Sequence, residues 1–552
     1  MTSRRFKFDF WLIVLIVSLA AVGLFVIYPL SNLVATGFQD QQTGYFSLVN
    51  FQTFFERPFF YQALFRSFAV AFTTTALAVL LGASMAYFST MYKIKGKRVV
   101  DILVIVSMLS PPFVGAMSWI LLAGRNGYLS RFLRDLFGME LPSIYGFGGI
   151  VLVMTLSTYP LIYLFTRGAL RKVDASLIEA SESLGCSPLK KTLTLTFPLI
   201  APTILAGSLL AFMDAFSDFG TPMLLGERFL VMPVLIFRGF LGELGGWRNF
   251  AAALSLIMVV ISIVMFLAQK YIIGKKSFTM SSLRPIQQKT LKGPAAVLVH
   301  FFIYGVLAFS TIPQTFVIYT SFRATRGPIF IDGFSFASYE RVFRILGTAI
   351  RNTYVYGLIA IAIIVVMSLF ISYLTTRRKN FFTSLLDSLT MLPFVIPGSI
   401  IGIILILAFN SRPLLLIGTP AIMILAFVIR RLPYTLRSSS AILRQISPSI
   451  EEAAISLGDS PVKSFFKTTA IVMMPGVISG AVLSWITIIN ELNAAVILFN
   501  VRTQTMPVVI YNELHRGAGF GPASALASIL ILTTVVSLAL FFKLTGKTEI
   551  SL

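Results

Sequence analysis

Long apolar runs, separated by short polar and basic segments, recur along the whole chain. A helix needs about 20 apolar residues to cross about 30 Å of hydrocarbon, and in lipid it satisfies its own backbone hydrogen bonds. The pattern predicts twelve membrane-spanning helices, six in each half of the chain. They lie at about residues 11–35, 66–90, 99–123, 147–167, 199–225, 250–272, 296–321, 352–375, 383–408, 414–434, 476–498 and 525–543.

The composition agrees with a chain that lies mostly in lipid. Hydrophobic residues make up 56% of the 552 residues, and charged residues make up only 12%. Soluble domains carry about 25% charged residues. We therefore predict an all-α, polytopic membrane protein.

The basic residues are distributed unevenly between the two sides of the predicted bundle. The formal net charge is +23. With the N-terminus inside, every lysine falls in a predicted cytoplasmic segment, and the outer segments carry only arginines such as Arg125, Arg131 and Arg228. An excess of basic residues is typical of cytoplasmic loops. The charge therefore indicates that both termini are cytoplasmic, and it does not indicate nucleic-acid binding, because no long basic stretch exists.

The two halves of the chain repeat with an offset of 273 residues. Since each half has six spans, the repeats enter the membrane in the same orientation and are expected to surround a central path. We place a first transmembrane domain at 1–280, a cytoplasmic linker at 281–294 and a second transmembrane domain at 295–552. The offset superimposes Glu179 on Glu452, Ala180 on Ala453, Gly185 on Gly458, Pro202 on Pro475, Gly207 on Gly480 and Asp218 on Glu491.

Prolines interrupt the third and ninth predicted spans. Pro111 and Pro112 in the third span correspond roughly to Pro393 and Pro397 in the ninth. Because proline breaks the helical hydrogen-bond ladder, we expect kinks there, which serve either to gate a path or to help packing.

Few residues are suited to enzyme chemistry. Cys186 is the only cysteine, and the two histidines, His300 and His515, are far apart in the sequence. They form no metal-binding or catalytic motif. We therefore expect no enzyme activity, no metal site and no cofactor in this chain.

One loop segment occurs twice, each time between the fourth and fifth spans of a half. The first copy runs from Asp174 to Pro188, and the second runs from Ile450 to Pro461. Each predicts a short helix, a glycine that permits a turn, and a second helix that starts at Ser-Pro. Two such elements on the cytoplasmic side indicate a docking surface for a symmetric partner.

The paired segments resemble the coupling motif Glu-Ala-Ala-x-x-x-Gly of binding-protein-dependent ABC transporter permeases. The similarity extends over essentially the whole chain, in two copies, as in fused two-domain ferric iron (Fe3+) permeases. The family commonly has a proline thirteen residues after the glycine, which Pro198 matches and Ile471 does not. The matching residues are Glu179, Ala180 and Gly185 in the first copy and Glu452, Ala453, Ala454 and Gly458 in the second.

This resemblance implies a type I ABC importer permease in the bacterial inner membrane. Two copies of a separate ABC ATPase subunit would dock on the two loops and hold the ATP and Mg, and an extracytoplasmic substrate-binding protein would deliver the cargo. The segments 217–226 and 490–493 look like those of ferric iron permeases. Related fused permeases for thiamine, phosphonate or polyamine share much of this pattern, so those cargoes stay open as alternatives.

A transporter of a different class also fits the predicted topology. Twelve spans in two parallel repeats are found in secondary transporters, which an ion gradient drives without an ATPase. The doubled coupling motif argues against this class.

Three carboxylates fall inside predicted spans. Asp214 and Asp218 lie four residues apart on one helix face, and Glu491 is the counterpart of Asp218. A charge in hydrocarbon costs at least about 2.5–3.5 kcal/mol, so such groups usually face a bundle interior or a water path. Two interpretations stay open. The carboxylates line a translocation path for a cationic cargo, or they bind arginine or backbone amides and hold helices together.

Overall fold

Helices dominate the computed structural model, which describes residues 10–109, 111–242, 247–275, 284, 286–515 and 519–545. The predicted linker 281–294 is described at Arg284 and from Ile286 onward. The rest of that linker and both chain termini, which we predicted to be cytoplasmic, lie outside the described residues.

The helices are numbered here in chain order, and three short π-helical turns interrupt them at Gly23–Ile27, Thr192–Thr196 and Phe465–Thr469. The helices of the first half are α1 (Phe10–Val22), α2 (Tyr28–Gly37), α3 (Val49–Glu56), α4 (Pro58–Met91), α5 (Lys97–Leu109), α6 (Pro112–Ala123), α7 (Tyr128–Phe137), α8 (Phe147–Leu170), α9 (Ala175–Ser183), α10 (Pro188–Lys191), α11 (Phe197–Ser217), α12 (Gly220–Leu225), α13 (Met232–Phe240) and α14 (Arg248–Lys275). Those of the second half are α15 (Pro294–Ser321), α16 (Ala337–Ile345), α17 (Gly347–Arg377), α18 (Phe381–Val395), α19 (Gly398–Ala408), α20 (Pro420–Gln445), α21 (Ser449–Ser456), α22 (Pro461–Ser464), α23 (Ala470–Ile489), α24 (Ala495–Leu498), α25 (Met506–His515) and α26 (Phe520–Thr545).

The membrane spans follow the sequence prediction, with differences where prolines or charges occur. In the described part of the chain, nine helices are long and apolar enough to cross a membrane, or up to eleven if each of two bent pairs is one span. The bent pairs are the third and ninth predicted spans, which turn by 100° before α6 and by 112° between α18 and α19. Both bends lie at the prolines where kinks were expected.

Three other predicted spans differ in detail. The predicted span 414–434 falls in α20, which is not among the nine because its four arginines lower its hydropathy. The fifth and eleventh spans were predicted to continue to residues 225 and 498, but α11 ends at Ser217 and α23 ends at Ile489. In each case a short separate helix, α12 or α24, follows the break.

The repeat is visible in the packing. The contacts among α4, α8, α11 and α14 in the first half recur among α17, α20, α23 and α26 in the second. At α4 and α17 the offset is 286 residues, which places Tyr87 at the position of Tyr373. Each leading helix packs on the opposite half, since α1 contacts α17 and α18, α2 contacts α19, and α15 contacts α5 and α6. The two halves are therefore interlocked.

A small antiparallel hairpin was not predicted. Strands β1 (Arg323–Arg326) and β2 (Ile329–Phe334) follow α15 and pack against α26. Because the hairpin is so short, the fold remains all-α.

Candidate functional site: two motif loops and a charged cluster

The first motif loop, residues 174–191, consists of α9 and α10 joined by a glycine turn. The Asp174 carboxylate accepts a hydrogen bond from the Ser176 backbone N–H at 2.9 Å and so caps the start of α9. Gly185 has a φ of +76°, a left-handed conformation that glycine adopts readily. The Cys186 N–H donates to the carbonyl five residues earlier at 3.1 Å, which completes a Schellman-type helix end.

The second motif loop, residues 449–464, has the same turn between α21 and α22. Gly458 has a φ of +96°, and the Asp459 N–H donates to the carbonyl five residues earlier at 3.1 Å. The hydroxyl groups of Ser187 and Ser460 accept backbone N–H bonds at 3.4 and 3.3 Å at the starts of α10 and α22. The predicted helix, glycine turn and serine-capped helix are therefore present in both loops.

Most of the motif side chains that we expected to dock a partner are exposed. The exposed motif residues are Glu179, Ala180, Gly185, Glu452, Ala453 and Gly458, and Ala454 is half-buried. Sequence reasoning missed one further pair: Leu184 is 84% exposed, and its counterpart Leu457 is 90% exposed. The available signal was an apolar residue directly before the turn glycine in both copies.

Different side chains hold the two loops to the membrane helices. In α9, Ile178 is buried among apolar side chains, whereas its counterpart in α21 is Glu451. The Glu451 carboxylate accepts a hydrogen bond from the Tyr373 hydroxyl of α17. Tyr87, at the same place in α4, instead bonds a threonine hydroxyl of the π-helical turn at 2.8 Å. The first loop thus has an apolar anchor, and the second has a charged hydrogen bond.

The linker binds the first motif loop. The Arg284 carbonyl accepts the Ala175 N–H at 3.1 Å, and the Arg284 N–H donates to the carboxylate of the capping aspartate at 3.3 Å. Lys289 pairs as a parallel bridge with the chain that follows α4, with N–H···O distances of 2.9 and 3.0 Å. Within the described residues the second loop has no such linker contact.

An ion-pair group joins the linker to the first loop. The Glu182 carboxylate pairs with the Lys191 ammonium and, at 2.7 Å, with the Lys289 ammonium. Hydrogen bonds from these two lysines lower the pKa of Glu182 from its ordinary value of 4.5 to about 2. The counterpart of Glu182 in the second loop is Ile455, so this group exists only in the first half.

Asp218 and Glu491 occupy equivalent places at the breaks after α11 and α23. Asp218 is buried, and its carboxylate accepts the Thr221 N–H at 3.0 Å at the start of α12. Glu491 is buried as well, and its carboxylate accepts the Ala494 N–H at 3.2 Å before α24. Each carboxylate accepts the backbone N–H three residues later and so stabilises the turn at which the long predicted span ends early.

Two arginines of α20 that sequence reasoning did not single out bind Glu491. Arg430 and Arg431 each pair with one oxygen of this carboxylate. Gly398, at the start of α19, makes room, since a Cβ there would lie 1.9 Å from a guanidinium nitrogen of Arg430. The signal in the sequence was an arginine pair where the first half has a serine and a threonine.

Asp214 lies one helical turn before Asp218 in α11, and it is exposed. Within the described residues it forms no hydrogen bond and no ion pair. Its electrostatic neighbours are Asp218 and, from the second half, Arg430 and Arg431. Asp214 therefore faces the boundary between the two halves.

The side chains suited to metal or enzyme chemistry stay apart. In the part of the chain that the structure describes, no group of three or more His, Cys, Asp or Glu side chains is placed to hold a metal ion. His300 accepts the Lys95 N–H at 3.3 Å, and His515 stacks on Tyr511 with ring centroids 5.4 Å apart. Both histidines thus have local structural contacts.

The described part of the chain is a duplicated helical bundle with two matching surface loops. Residues 78–277 and 364–547 each match the binding-protein-dependent transport system inner membrane component family. The two matches cover more than half of the chain, and the chain belongs to this family. It is thus a permease subunit of an ABC importer, with the family's domain present twice.

Relatives of this chain differ in the cargo for which they are named. The ferric transport system permease protein FbpB of Actinobacillus pleuropneumoniae is 26% identical over 543 residues, which are 96% of this chain and 77% of that protein. The Fe(3+)-transport system permease protein FbpB 2 of Haemophilus influenzae is 25% identical, over 89% of this chain and 91% of that protein. PhnU of Salmonella typhimurium, named for 2-aminoethylphosphonate transport, is 26% identical over 46% of this chain and 88% of its own length.

Proposed function

We propose that this chain forms the translocation path of an ATP-driven importer for ferric iron. Two copies of a separate ABC ATPase, each holding ATP and Mg, dock on the two motif loops. An extracytoplasmic binding protein delivers the cargo to the opposite side of the membrane. In this arrangement the motif loops and both termini are cytoplasmic, which the distribution of lysines supports.

The two copies of one loop structure are the observation on which the docking proposal rests. Both loops end their first helix with the same glycine turn and expose a leucine directly before it, Leu184 or Leu457. An exposed leucine beside an acidic helix surface suits a pocket on a partner that excludes water from the leucine. Two equivalent anchors fit two copies of the same ATPase.

Each motif loop continues directly into a helix that reaches the charged cluster, which consists of Asp214, Asp218, Arg430, Arg431 and Glu491. The span Pro461–Ile489 is 29 residues long, or about 43 Å at 1.5 Å per residue, and Glu491 follows its end. The first loop leads in the same way through a π-helical turn into α11 and Asp218. Closure of the ATPases would therefore displace the loops and move these helices against the path between the halves.

Two considerations support ferric iron as the cargo. Three relatives that match most of the chain are named for ferric iron, whereas a fourth is named for no cargo, and carboxylates between the halves suit a hard cation in chemical type. The relatives named for 2-aminoethylphosphonate match one half-length segment, which makes that compound the second candidate. Thiamine and polyamines remain further alternatives.

A paired substitution tests the docking. Leu184→Asp combined with Leu457→Asp places a charge on each anchor, and we expect it to abolish co-purification of the ATPase while the permease stays folded. Val501→Asp is the matched control, because Val501 is also 84% exposed but lies outside both loops. Normal recovery of the ATPase with the double variant would contradict the docking role.

Uptake measurements test the energy source and the cargo. Proteoliposomes that contain the permease, the co-purified ATPase and the binding protein should accumulate Fe(III) only with ATP, and an uncoupler should not stop them. Transport by the permease alone, driven by an ion gradient, would support the secondary-transporter class instead. Competition by 2-aminoethylphosphonate would favour the second cargo.

A further inference from the structure

Asp214 differs from the other two carboxylates of the charged cluster in having no partner of its own. Asp218 binds a backbone N–H of α12, and Glu491 binds a backbone N–H and two arginines. Asp214 is exposed and forms no hydrogen bond or ion pair with any described residue. A carboxylate in a membrane helix that has no hydrogen bond or ion pair with the protein requires contact with water.

The position of Asp214 shows where this water lies. Its electrostatic neighbours include Arg430 and Arg431, which belong to α20 of the opposite half. A side chain that faced lipid from α11 would not be close to these arginines. The break that follows α11 also lies against the second half, since a Cβ added to Gly220 would lie 3.2 Å from the Leu492 side chain. Asp214, one helical turn before this break, is therefore placed near the space between the two halves, where the repeat symmetry predicts a central path.

Of Asp214, Asp218 and Glu491, only Asp214 forms no hydrogen bond or ion pair with a described residue. Arg430 and Arg431 both bind Glu491, and their side chains are only 16% and 13% exposed. Asp218 is buried against its helix start. Arg430 and Arg431 exceed Glu491 by one positive charge, and the Asp218 carboxylate offsets it. The Asp214 carboxylate therefore gives these five groups their formal net charge of minus one.

The opposite wall of the path lacks an equivalent charge. The offset of 273 residues places Thr487 of α23 at the position of Asp214. The Thr487 hydroxyl bonds the carbonyls of Leu483 and Ser484 in its own helix at 3.0 and 2.9 Å. The unbound carboxylate is therefore contributed by the first half alone.

We propose that Asp214 is the residue that contacts the cargo in the translocation path and selects for positive charge, whereas Asp218 and Glu491 hold helices in place. This inference rests on the proposed importer function and assigns the specificity within it. It divides the three carboxylates into one that contacts the cargo and two that position helices.

Asp214→Asn is the direct test, because it removes the charge and keeps the shape. We expect Fe(III) uptake to fall at least about tenfold, while ATPase stimulation by the loaded binding protein stays within about twofold. Asp214→Glu, which keeps the charge, should retain most of the uptake. Unchanged uptake by Asp214→Asn would overturn the proposal, and so would loss of ATPase stimulation together with uptake, since that result indicates a structural role.

An exchange across the repeat provides an independent test. Asp214→Thr should be inactive in uptake, and the double variant Asp214→Thr with Thr487→Asp returns one carboxylate to the path from the opposite wall. We expect the exchange to restore uptake to within about threefold of the original chain. A folded exchange variant that stays as inactive as Asp214→Thr would overturn a role that depends on charge in the path.

The cargo itself is tested separately by the unaltered chain. If the unaltered permease imports 2-aminoethylphosphonate and not Fe(III), the proposed cargo is wrong. The same Asp214 variants are then measured with that compound, whose ammonium group is the only part that a carboxylate would attract, since its phosphonate is anionic. Uptake of it that does not change in Asp214→Asn would overturn the proposal about Asp214.

Discussion

The two motif loops share a backbone turn but differ in the contacts that hold them. Gly185 and Gly458 both have positive φ values and end their helices with the same hydrogen bond. The first loop is held by buried Ile178 and by the linker, and the second by the Glu451 carboxylate on the Tyr373 hydroxyl. The glycine turn determines the loop surface that a partner would contact. The contacts that hold the loop to the membrane helices can differ, so only the turn needs to be the same in both halves.

The same division appears in the charged cluster. Asp218 and Glu491 both accept the backbone N–H three residues later, at positions related by the repeat. Glu491 also binds two arginines, whereas Asp218 forms no ion pair with any residue that the structure describes. The hydrogen bond from carboxylate to backbone is common to both halves, whereas the arginines occur only beside Glu491. Substitutions at matched positions in the two halves can therefore measure how much each contact that is present in only one half contributes to stability.

The largest difference is expected between Glu491→Gln and Asp218→Asn. Breaking a buried ion pair by removing one partner typically destabilises by about 3–5 kcal/mol, because the remaining charge is buried and unpaired. Glu491→Gln leaves two such arginines. Asp218→Asn keeps an oxygen that can cap the helix, so its effect should stay below about 1 kcal/mol. Thermal unfolding of the purified variants in detergent measures both.

A triple variant serves as the control for this comparison. Glu491→Gln together with Arg430→Met and Arg431→Met removes the unpaired charges, and should recover part of the lost stability. Equal losses in Glu491→Gln and Asp218→Asn would show that the arginine pair adds nothing to the cap.

A medium effect is expected at the tyrosines below the two loops. Tyr373→Phe removes a hydrogen bond to a carboxylate, which is worth about 1.5–3 kcal/mol. Tyr87→Phe removes a bond between two neutral hydroxyl groups, worth about 0.5–1.5 kcal/mol. Unfolding of the two single variants compares the charged and neutral anchors directly. If Tyr87→Phe proves the more destabilising, the assignment of the charged anchor to the second loop is wrong.

The two turn glycines should respond alike, since they have the same conformation. Gly185→Ala and Gly458→Ala each force a side chain into the left-handed region, at about 1–2 kcal/mol. Neither Cβ would meet another atom within 4 Å, so the effect should be local and should lower ATP-coupled uptake without loss of the folded core. Gly168→Ala, inside α8 with equally free space and no positive φ, should have no such effect. Clearly unequal uptake in the two turn variants would contradict the equivalence of the loops.

The sequence was sufficient to predict these shared features, because they depend on local rules. Apolar run length predicts spans, glycine predicts a turn, and Ser-Pro predicts a helix start, so the loops around Gly185 and Gly458 were located correctly. The early end of α11 was missed because Asp218 caps a new helix, which hydropathy does not reveal. The Glu491 contact with Arg430 was missed because it joins residues 61 positions apart, and the linker contact was missed because it depends on tertiary packing.

The smallest expected effect concerns the linker contact with the first loop. Glu182→Gln weakens its pairs with Lys191 and Lys289, and surface pairs are worth about 0.2–1 kcal/mol. Hydrogen exchange at residues 286–289 should therefore accelerate by up to about fivefold, with no change in the second loop. Because the pairs with Lys191 and Lys289 lower the pKa of Glu182 from 4.5 to about 2, the Glu182 carboxylate binds a proton more readily once the linker has detached. The contribution is thus complete above about pH 4.5 and is lost as the pH falls towards 2.

A matched substitution in the second loop decides whether this contact is specific to the first. Asp459→Asn removes the pair with Lys463, at 2.7 Å, and should change exchange only in the second loop, where the described residues make no linker contact. If Glu182→Gln leaves exchange in residues 286–289 unchanged, the ion pairs do not hold the linker, and the backbone bonds of Arg284 and Lys289 suffice. Within the described residues the linker makes no such backbone hydrogen bonds to the second motif loop. The two motif loops would therefore still differ in local stability.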